Sequence, residues 1–346
     1  MCDQGGAAMS ILAELTKEYK KLGIGDQIDF DKLYLYSIIT HSTAIEGSTV
    51  SETENKLLFD EGISANKPIA EQMMNLDLKR AYEEGMKLAS DHADYSIEML
   101  CTLSALVMKN TGSDYNTILG SFSSSNGDLR LINVSAGRGG KSYMAWQKVP
   151  VRLEEFCAWI NRERSVIDPG DIDKVYELSF LTHYNLVYIH PWADGNGRMA
   201  RLVMNMIQNE FGMIPSIVKK EHRAVYIDSL ARSQEAKYPK EFIDFMMNDH
   251  TENLKQTIRE YSESINDDTL NLGFDTINDT LNLTKKEEIV ICIIKQNVNV
   301  TIDEMTVITG FSRPTITRAI SSLKQKGVLE RVGAKKNGSW KILILE

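Results

Sequence analysis

Twelve consecutive residues constrain this chain more than any other segment: His190-Pro191-Trp192-Ala193-Asp194-Gly195-Asn196-Gly197-Arg198-Met199-Ala200-Arg201. Gly195 and Gly197 favour a turn with positive φ, and the helix-favouring run from Met199 places that turn at a helix N-terminus. Successive N–H groups in such a turn point into one concavity, where the helix dipole favours a negative charge. The segment therefore predicts an anion site on a turn that enters a helix.

The side chains around this turn are those that phosphate chemistry uses. Arg198 and Arg201 are three residues apart, so we expect them to share a helix face and offer fork-shaped donors to phosphate oxygens. Asp194 supplies the hard oxygen ligand that Mg²⁺ prefers beside nucleotide phosphates. His190 can take up a proton near neutral pH and lies next to the turn. Together they predict a phosphate site with a base attached.

A His-Pro pair or a Gly-Asn-Gly turn alone is typical of an ordinary loop, so the argument depends on their joint occurrence. The whole segment resembles the motif of the Fic family, His-Pro-Phe-x-[Asp/Glu]-Gly-Asn-Gly-Arg-x-x-Arg, with Trp192 in the place of the phenylalanine. This resemblance implies that AMP is transferred from ATP, with Mg²⁺, to a Ser, Thr or Tyr hydroxyl of a target protein.

The resemblance also assigns a role to each residue of the motif. His190 would deprotonate the target hydroxyl, and Asp194 would hold Mg²⁺ against the α- and β-phosphates. The remaining residues would bind phosphate oxygens, in an anion hole or through guanidinium groups: Gly195, Asn196, Gly197, Arg198 and Arg201. These roles agree with the chemistry of the residues themselves, because attack at phosphorus needs positioning and charge neutralisation above all.

A second motif lies far upstream, at Ser42-Thr43-Ala44-Ile45-Glu46-Gly47. Ser42 and Glu46 would share one face of a helix through the apolar 33–45 region, with Gly47 as its C-terminal stop. Alone, this pattern is typical of a capped, solvated helix end. It resembles the inhibitory motif of the class II Fic type, [Ser/Thr]-x-x-x-Glu-[Gly/Asn], which implies that Glu46 pairs with Arg201 and restrains ATP. We therefore expect an autoinhibited enzyme, because a carboxylate can replace a phosphate on one guanidinium.

The composition is that of an ordinary soluble protein long enough for two domains, with 346 residues, a net charge of −9, 42% hydrophobic and 25% charged residues. No apolar run is long enough for a membrane span and no signal peptide is recognisable, so we expect no membrane partner and a cytoplasmic location. The cysteines and histidines lack metal-site spacing, and the cysteines are predicted to be reduced.

Apolar residues recur at three- and four-residue intervals through most of the chain, which predicts a mainly α-helical fold. The predicted helices cover residues 9–22, 34–45, 69–90, 96–109, 150–161, 172–188, 197–210, 223–232 and 239–261. The helix over 172–188 is apolar on more than one face and is expected to be the buried helix that leads to His190. We expect an N-terminal helical region over 1–110, with the inhibitory helix at about 33–47, and a Fic catalytic core over 111–262.

The main non-helical interval runs from Ser121 to Val149 and is rich in Gly and Ser. A turn at Arg138-Gly139-Gly140-Lys141 and a short strand at Tyr143-Met144-Ala145-Trp146 predict a β-hairpin. In the Fic family the equivalent element is a flap that holds a target segment by strand-like pairing. A solvent-exposed hairpin without a role is the alternative.

Asn and Asp clusters predict a linker over 263–283, and a second domain follows over 284–346. Its order, three helices and then two strands, resembles a winged helix-turn-helix domain. This domain has eleven basic and six acidic residues, against a net charge of −14 for the rest of the chain. Its basic third helix predicts DNA contacts, for which the candidates are Arg313, Thr315, Thr317 and Arg318. Dimerisation or protein docking is an equally open use.

Two classes of function follow from the sequence. The first is a protein adenylyltransferase restrained by Glu46, whose site would instead remove AMP if Glu46 positioned a water. The second is a DNA-binding transcriptional regulator in which the Fic fold acts as a sensing scaffold. His190 beside an anion hole favours the enzyme. The target, the transferred nucleotide and the oligomeric state, a homodimer included, stay open.

Overall fold

A computed structural model describes residues 10–27, 30–136, 142–270, 284–309, 311–332 and 339–343. This part of the chain is mainly helical, which confirms the predicted class. Its α-helices are α1 Ile11–Lys21, α2 Phe30–Ile45, α3 Glu52–Asp60, α4 Ile69–Ser90, α5 Ile97–Met108, α6 Val149–Val166, α7 Ile172–Ile189, α8 Asn196–Glu210, α9 Arg223–Ala236, α10 Lys240–Leu270, α11 Lys285–Gln296, α12 Ile302–Thr309 and α13 Arg313–Gln325. Its strands are β1 Asp114–Thr117, β2 Gly120–Ser123, β3 Leu329–Val332 and β4 Ser339–Ile342.

The chain divides into two compact units. The first unit lies within Met1–Lys17 and Lys32–Leu254, and the second within Glu18–Asp31 and Lys255–Glu346. The 190–201 motif and the upstream 42–47 motif both fall in the first unit. The five elements from α11 to β4 fall in the second.

Helices α7 and α8 form the centre of the first unit. They pack against each other, and α8 also packs against α4. Gly85 in α4 permits this close approach, because a Cβ there would lie 3.0 Å from Leu202 Cδ1 on α8. Phe180 and Leu186 on α7 are fully buried. The predicted role of α7 as a buried helix that leads to His190 is therefore confirmed, and rigid packing fixes the point at which the motif begins.

Helix α3 is absent from the predicted helices. It begins at Ser51, whose hydroxyl accepts a hydrogen bond from the N–H of Glu54 while the Glu54 carboxylate accepts one from the N–H of Ser51. This reciprocal capping box is a recognisable start signal in Ser-x-x-Glu sequences. The nine-residue helix that follows is too short to give a clear apolar period, which explains why the periodicity did not show it.

The flap interval has the predicted antiparallel pairing on the two sides of the 138–141 turn, but it differs from its prediction elsewhere. The two-stranded hairpin lies earlier, where Asp114 pairs with Ser123 and Thr117 with Gly120. The predicted strand over 143–146 is wrong, because residues 146–148 form a 3₁₀ turn that leads directly into α6. Pairing within the described part of 121–149 consists of one antiparallel bridge, Ser135 with Ser142, extended by a 3.0 Å hydrogen bond from Tyr143 N to Val134 O. The predicted turn over 138–141 lies outside the described residues.

The second unit contains the predicted order of three helices and two strands. Helix α13 starts at Ser312, whose hydroxyl accepts from Thr315 N, and β3 pairs antiparallel with β4, with Leu329 opposite Ile342. Its core is aliphatic and closed by Trp340, which is 4% exposed. The turn between the two strands, over 333–338, lies outside the described residues.

Helix α10 runs to Leu270, nine residues past the predicted helix end, so the start of the predicted linker is helical. Residues 271–283 of that linker lie outside the described residues. Among the helices that the structure describes, none combines the length and the apolar character that a membrane span requires.

Candidate active site

His190 caps the C-terminal end of α7 in the left-handed conformation, with a φ of 53°. Such a conformation is strained for a residue with a Cβ, and it turns the chain sharply out of the helix. Trp192 anchors the turn that follows: its side chain is fully buried and its indole N–H donates to Gly127 O at 3.1 Å. Its aromatic ring therefore anchors the turn in the core.

The His190 imidazole lies flat against the Tyr143 ring, with centroids 3.6 Å apart and planes 13° from parallel. Its Nδ1 lies 3.3 Å from Val187 O, and because a carbonyl only accepts hydrogen bonds, this contact favours a proton on Nδ1 and a lone pair on Nε2. Burial, aided by the nearby Arg130 cation, lowers the pKa of His190 to about 4. The imidazole is therefore neutral at pH 7, as a general base must be.

Helix α8 begins in the glycine turn as predicted, with Gly195 as its N-cap at a φ of 81°. Gly195 also lies against α5, where a Cβ would approach Met108 Sδ to 2.7 Å. The Asn196 side chain closes the turn on itself, donating to Trp192 O at 2.9 Å and accepting from Trp192 N at 3.1 Å. The first N–H groups of α8 lack intrahelical carbonyl partners by geometry, so this rigid turn presents donors to an anion.

Asp194 lies exposed at the outer side of this turn. One carboxylate oxygen accepts a hydrogen bond from Gly195 N at 2.6 Å, which fixes the side-chain direction. No group of three or more His, Cys, Asp or Glu side chains in the described ranges could hold a metal ion by itself. A single oriented carboxylate fits Mg²⁺ bound jointly with substrate phosphates, since that ion commonly takes one or two protein carboxylates.

Arg201 is 3% exposed and turns its guanidinium towards the end of α2. Its Nε donates to Ser42 Oγ at 2.8 Å, and its Nη2 donates to Ser42 O at 2.9 Å and to Glu46 Oε1 at 2.6 Å. Its Nη1 contacts the Tyr226 hydroxyl at 3.3 Å. The structure thus brings Ser42, Glu46 and Arg201 together, although more than 150 residues separate the two motifs.

The Glu46 carboxylate lies over the first turn of α8. A Cβ on Gly197 would be 2.6 Å from Glu46 Oε1, so a glycine at this position is what lets the carboxylate approach the helix. Burial opposes ionisation of Glu46, but Arg201, Arg198 and Arg223 outweigh it and hold the pKa of this carboxyl below its usual range. Glu46 is therefore an anion at neutral pH, at the helix end where an anion is favoured.

The C-terminal end of α2 is held from several sides. Gly47 ends the helix with a φ of 105°. Arg223 Nε donates to Ile45 O at 2.7 Å, and Thr43 Oγ1 donates to Asn75 Oδ1 at 2.8 Å. These contacts satisfy groups that the helix end would otherwise leave unpaired, and they fix Glu46 close to Arg201.

Arg198 is equally buried but contacts a different element. Its Nη1 lies 3.3 Å from Val107 O and its Nη2 3.0 Å from Met108 Sδ, at the end of α5. The predicted common face of Arg198 and Arg201 is therefore not observed, because each guanidinium follows the nearest acceptors on its own side of α8. Arg198 Nε is buried without a hydrogen-bond partner among the described residues.

Three site residues were missed by sequence reasoning: Arg130, Tyr226 and Arg223. Arg130 Nε donates to His190 O at 2.7 Å, and Tyr226 links Arg201 to His183 through a 2.8 Å contact between its hydroxyl and His183 Nε2. No spacing signal connects these residues to the motif. An arginine flanked by apolar residues, as in Leu129-Arg130-Leu131, was the available hint that Arg130 is buried.

A groove of about 840 Å³ is lined by Tyr143, whose ring stacks on the His190 imidazole, but neither His190 nor the glycine turn lines it. Tyr143 and Met144 line one side of it, Ile189 lies next to His190, and Ala231 and Gln234 contribute from α9. This volume is within the range of small-molecule sites. The candidate site therefore combines a helix end suited to an anion with a neutral imidazole, and the groove adjoins them through Tyr143.

The candidates for DNA contact lie at the start of α13. Arg313 forms an ion pair with Asp303 and its carbonyl accepts from Thr317 Oγ1 at 2.7 Å, while the Thr315 hydroxyl contacts Ser312 Oγ at 2.9 Å. Arg313, Thr317 and Arg318 are exposed. The structure therefore places them on one accessible helix end.

Comparison with known proteins agrees with this class of site. Residues 94–208 match the model of the Fic/DOC family. The protein adenylyltransferase fic-1 of Caenorhabditis elegans is 30% identical over 202 residues, which are 57% of this chain and 35% of that protein. The chain thus spans about a third of the length of that relative.

Solved structures share the fold. A Fic domain containing signaling protein from Bacteroides thetaiotaomicron superposes with a TM-score of 0.59 at 20% identity, covering 72% of this chain and 97% of that one. A Fic family protein from Desulfovibrio desulfuricans superposes with a TM-score of 0.57 at 18% identity, covering 97% of this chain and 94% of its own.

Proposed function

We propose that this protein is an autoinhibited adenylyltransferase that transfers AMP from ATP to a Ser, Thr or Tyr hydroxyl of a target protein. One observation supports this most: the Glu46 carboxylate bonds Arg201 at 2.6 Å over the N-terminus of α8, beside a neutral histidine. A binding scaffold has no need of a base there. The names of the relatives and the Fic/DOC domain also support nucleotidyl transfer.

The residues present suit an in-line displacement at the α-phosphorus. The target oxygen forms the new bond to phosphorus as the bond to the pyrophosphate oxygen breaks, and the hydroxyl proton passes to His190 Nε2. The N–H groups of the 195–197 turn and the unpartnered Arg198 Nε would bind phosphate oxygens. Asp194 would hold Mg²⁺, which supplies further neutralisation of phosphate charge. Pyrophosphate is the leaving group.

The inhibition follows from competition for Arg201. A nucleotide phosphate and the Glu46 carboxylate need the same donors and the same space above Gly197, so the two cannot occupy the site together. ATP binding in a productive pose therefore requires the carboxylate to leave. The end of α2 is the element that this competition would displace.

The direct test is mass spectrometry of Glu46→Gly incubated with Mg²⁺, lysate and ATP, with CTP, GTP and UTP in parallel. We expect labelling of hydroxyl side chains by the mass of AMP, at a higher level than with the unaltered protein. Two controls sharpen the result. Glu71→Gly removes an exposed carboxylate that bonds Thr49, outside the site, and should leave labelling at the resting level.

The second control combines Glu46→Gly with His190→Ala. Labelling that persists in this double variant would refute the assignment of His190 as the base. A different added mass would show that the transferred group is not AMP. Removal of AMP from a labelled protein by the unaltered enzyme, lost in Glu46→Gln, would instead support the reverse reaction with Glu46 as the residue that positions water.

The remaining partners are proposals of the same kind. The exposed basic end of α13 supports DNA contact. A retarded band with genomic fragments, lost in Arg313→Ala/Arg318→Ala, is the expected result, and no retardation would refute it. A homodimer and a cytoplasmic location stay predictions from the sequence.

A further inference from the structure

Arg130 is a fully buried arginine that contacts the backbone at three separate places. Its Nε donates to His190 O at 2.7 Å, its Nη1 to Ile132 O at 2.7 Å and its Nη2 to Met144 O at 2.5 Å. Its own backbone N–H donates to Pro191 O at 3.1 Å. The Arg130 side chain is 1% exposed, and its described hydrogen bonds all go to backbone carbonyl oxygens.

The three carbonyls belong to the histidine turn and to both sides of the flap interval. Ile132 precedes the bridge between Ser135 and Ser142, and Met144 follows it. Met144 is also the neighbour of Tyr143, whose ring lies on the imidazole. One guanidinium therefore ties together the chain that carries the base and the chain that covers it.

The planar fork of arginine is what makes this arrangement work. Its five donors point in fixed directions and can reach several acceptors at once, whereas the ammonium of lysine is one compact charge. A lysine could satisfy one of the three carbonyls and would leave the other two without their charged donor. The left-handed turn at His190, which is strained, also needs such external contacts to persist.

We propose that Arg130 is a positioning residue for the transfer reaction: it holds His190 in its left-handed turn and fixes the flap so that Tyr143 stacks on the imidazole. This inference rests on the proposed role of His190 as the base. Arg130 contacts the backbone of His190 and not the reacting atoms. Its effect on catalysis comes from the direction of the imidazole, where a misplacement of about 1 Å can cost about 100-fold in rate.

Three titratable side chains of the described residues surround the His190 imidazole. Tyr143 covers it from the flap, Glu46 approaches from α2 and raises its pKa, and Arg130 lowers it from behind the turn. Burial under Tyr143 acts in the same direction as Arg130. Loss of the clamp should therefore raise the pKa of His190 towards the ordinary histidine range, because both lowering influences weaken.

The test uses Arg130→Lys and Arg130→Met in the full chain. Nuclear magnetic resonance of labelled histidine side chains, assigned with His190→Ala, reports the imidazole pKa and the ring-current shift from Tyr143. We expect the ring-current shift to disappear in both variants and the pKa to rise, most in Arg130→Met. In the Glu46→Gly background, kcat should fall by about 100-fold while KM changes much less.

Arg164→Lys is the matched control. Arg164 is another buried arginine, which bonds Glu210 at 2.5 Å and Ala93 O at 3.2 Å, away from the histidine. The Arg164→Lys substitution should lower the melting temperature and leave both the His190 signals and kcat unchanged. Folded Arg130 variants with unaltered His190 signals would overturn the proposal, as would failure of both variants to fold. Because the resonance measurement needs no turnover, it tests whether Arg130 positions His190 even if the transferase assignment fails.

Discussion

Glu46→Gln should tighten ATP binding, because it removes the charge that competes for Arg201 and keeps nearly the same shape. The contact to be lost is a 2.6 Å hydrogen bond between two charged groups, one of which is buried. Such bonds contribute about 1.5–3 kcal/mol. Since the Glu46 side chain is 35% exposed, solvent screening reduces this to about 1–2 kcal/mol.

That free energy sets the expected change in affinity. The apparent Kd is the intrinsic Kd divided by the fraction of molecules with the phosphate site open, so weakening the closed state lowers it. About 1–2 kcal/mol corresponds to a decrease of about 5- to 30-fold. Isothermal titration calorimetry with a non-hydrolysable ATP analogue and Mg²⁺ measures this change in Glu46→Gln against the unaltered protein.

Glu71→Gln is the control, since that carboxylate bonds Thr49 N and Oγ1 close to α2 but outside the site. Its Kd should match that of the unaltered protein. Equal affinities in all three proteins would refute the competition. Tighter binding in Glu46→Gly but not in Glu46→Gln would show that the bulk of the side chain, and not its charge, blocks the site.

Three further predictions follow from the same geometry. Since the pKa of His190 lies at about 4, transfer by Glu46→Gly should be constant from pH 8 to pH 6 and fall only near pH 4, whereas a midpoint near 6.5 in the rate profile would contradict this. Gly197→Ala places a methyl group where both the carboxylate and a phosphate need room, so calorimetry should show no gain in ATP affinity, and tightening like that of Glu46→Gln would refute the shared site. Tyr226→Phe removes one buried partner from Arg201 and the partner of His183 Nε2, and it should cost about 1–3 kcal/mol in the free energy of unfolding measured with urea. An unchanged midpoint would contradict the importance of that hydroxyl.

The acid dependence of the contact between Glu46 and Arg201 follows from the depressed pKa of Glu46. A carboxyl with a lowered folded pKa stabilises the contact fully above its unfolded value and loses that contribution as the pH falls through the folded value. The ion pair should therefore persist from pH 7 to about pH 5. This constancy matches the flat rate profile expected for the base.

The sequence was sufficient where the signal is local. Helices such as α4 follow the apolar period to the residue, and the glycine turn before α8 follows from residues that are adjacent in the chain. The partnership of Ser42, Glu46 and Arg201 is long-range, and it was predicted through a resemblance and not from the physics of either segment. Their ends meet because α2 packs near α8, which no periodicity reveals.

The errors have the same physical origin. Tyr143 lies in a segment with strand-like composition, yet its ring is held flat on His190 by tertiary contacts, and the following residues wind into α6. Arg198 and Arg201 were expected to act together, but α5 and α2 supply their acceptors on different sides. Arg130 carries no motif at all. Side-chain direction depends on acceptors far away in sequence, which local propensity does not encode.

The most direct test of the central claim is a crystal structure of Glu46→Gly with a non-hydrolysable ATP analogue and Mg²⁺. We predict a terminal phosphate oxygen on the Arg201 guanidinium, above Gly197, in the space that the Glu46 carboxylate occupies at rest. A nucleotide bound with its phosphates away from Arg201 would contradict the account. So would the same phosphate position in a crystal of the unaltered protein in which Glu46 is still paired with Arg201.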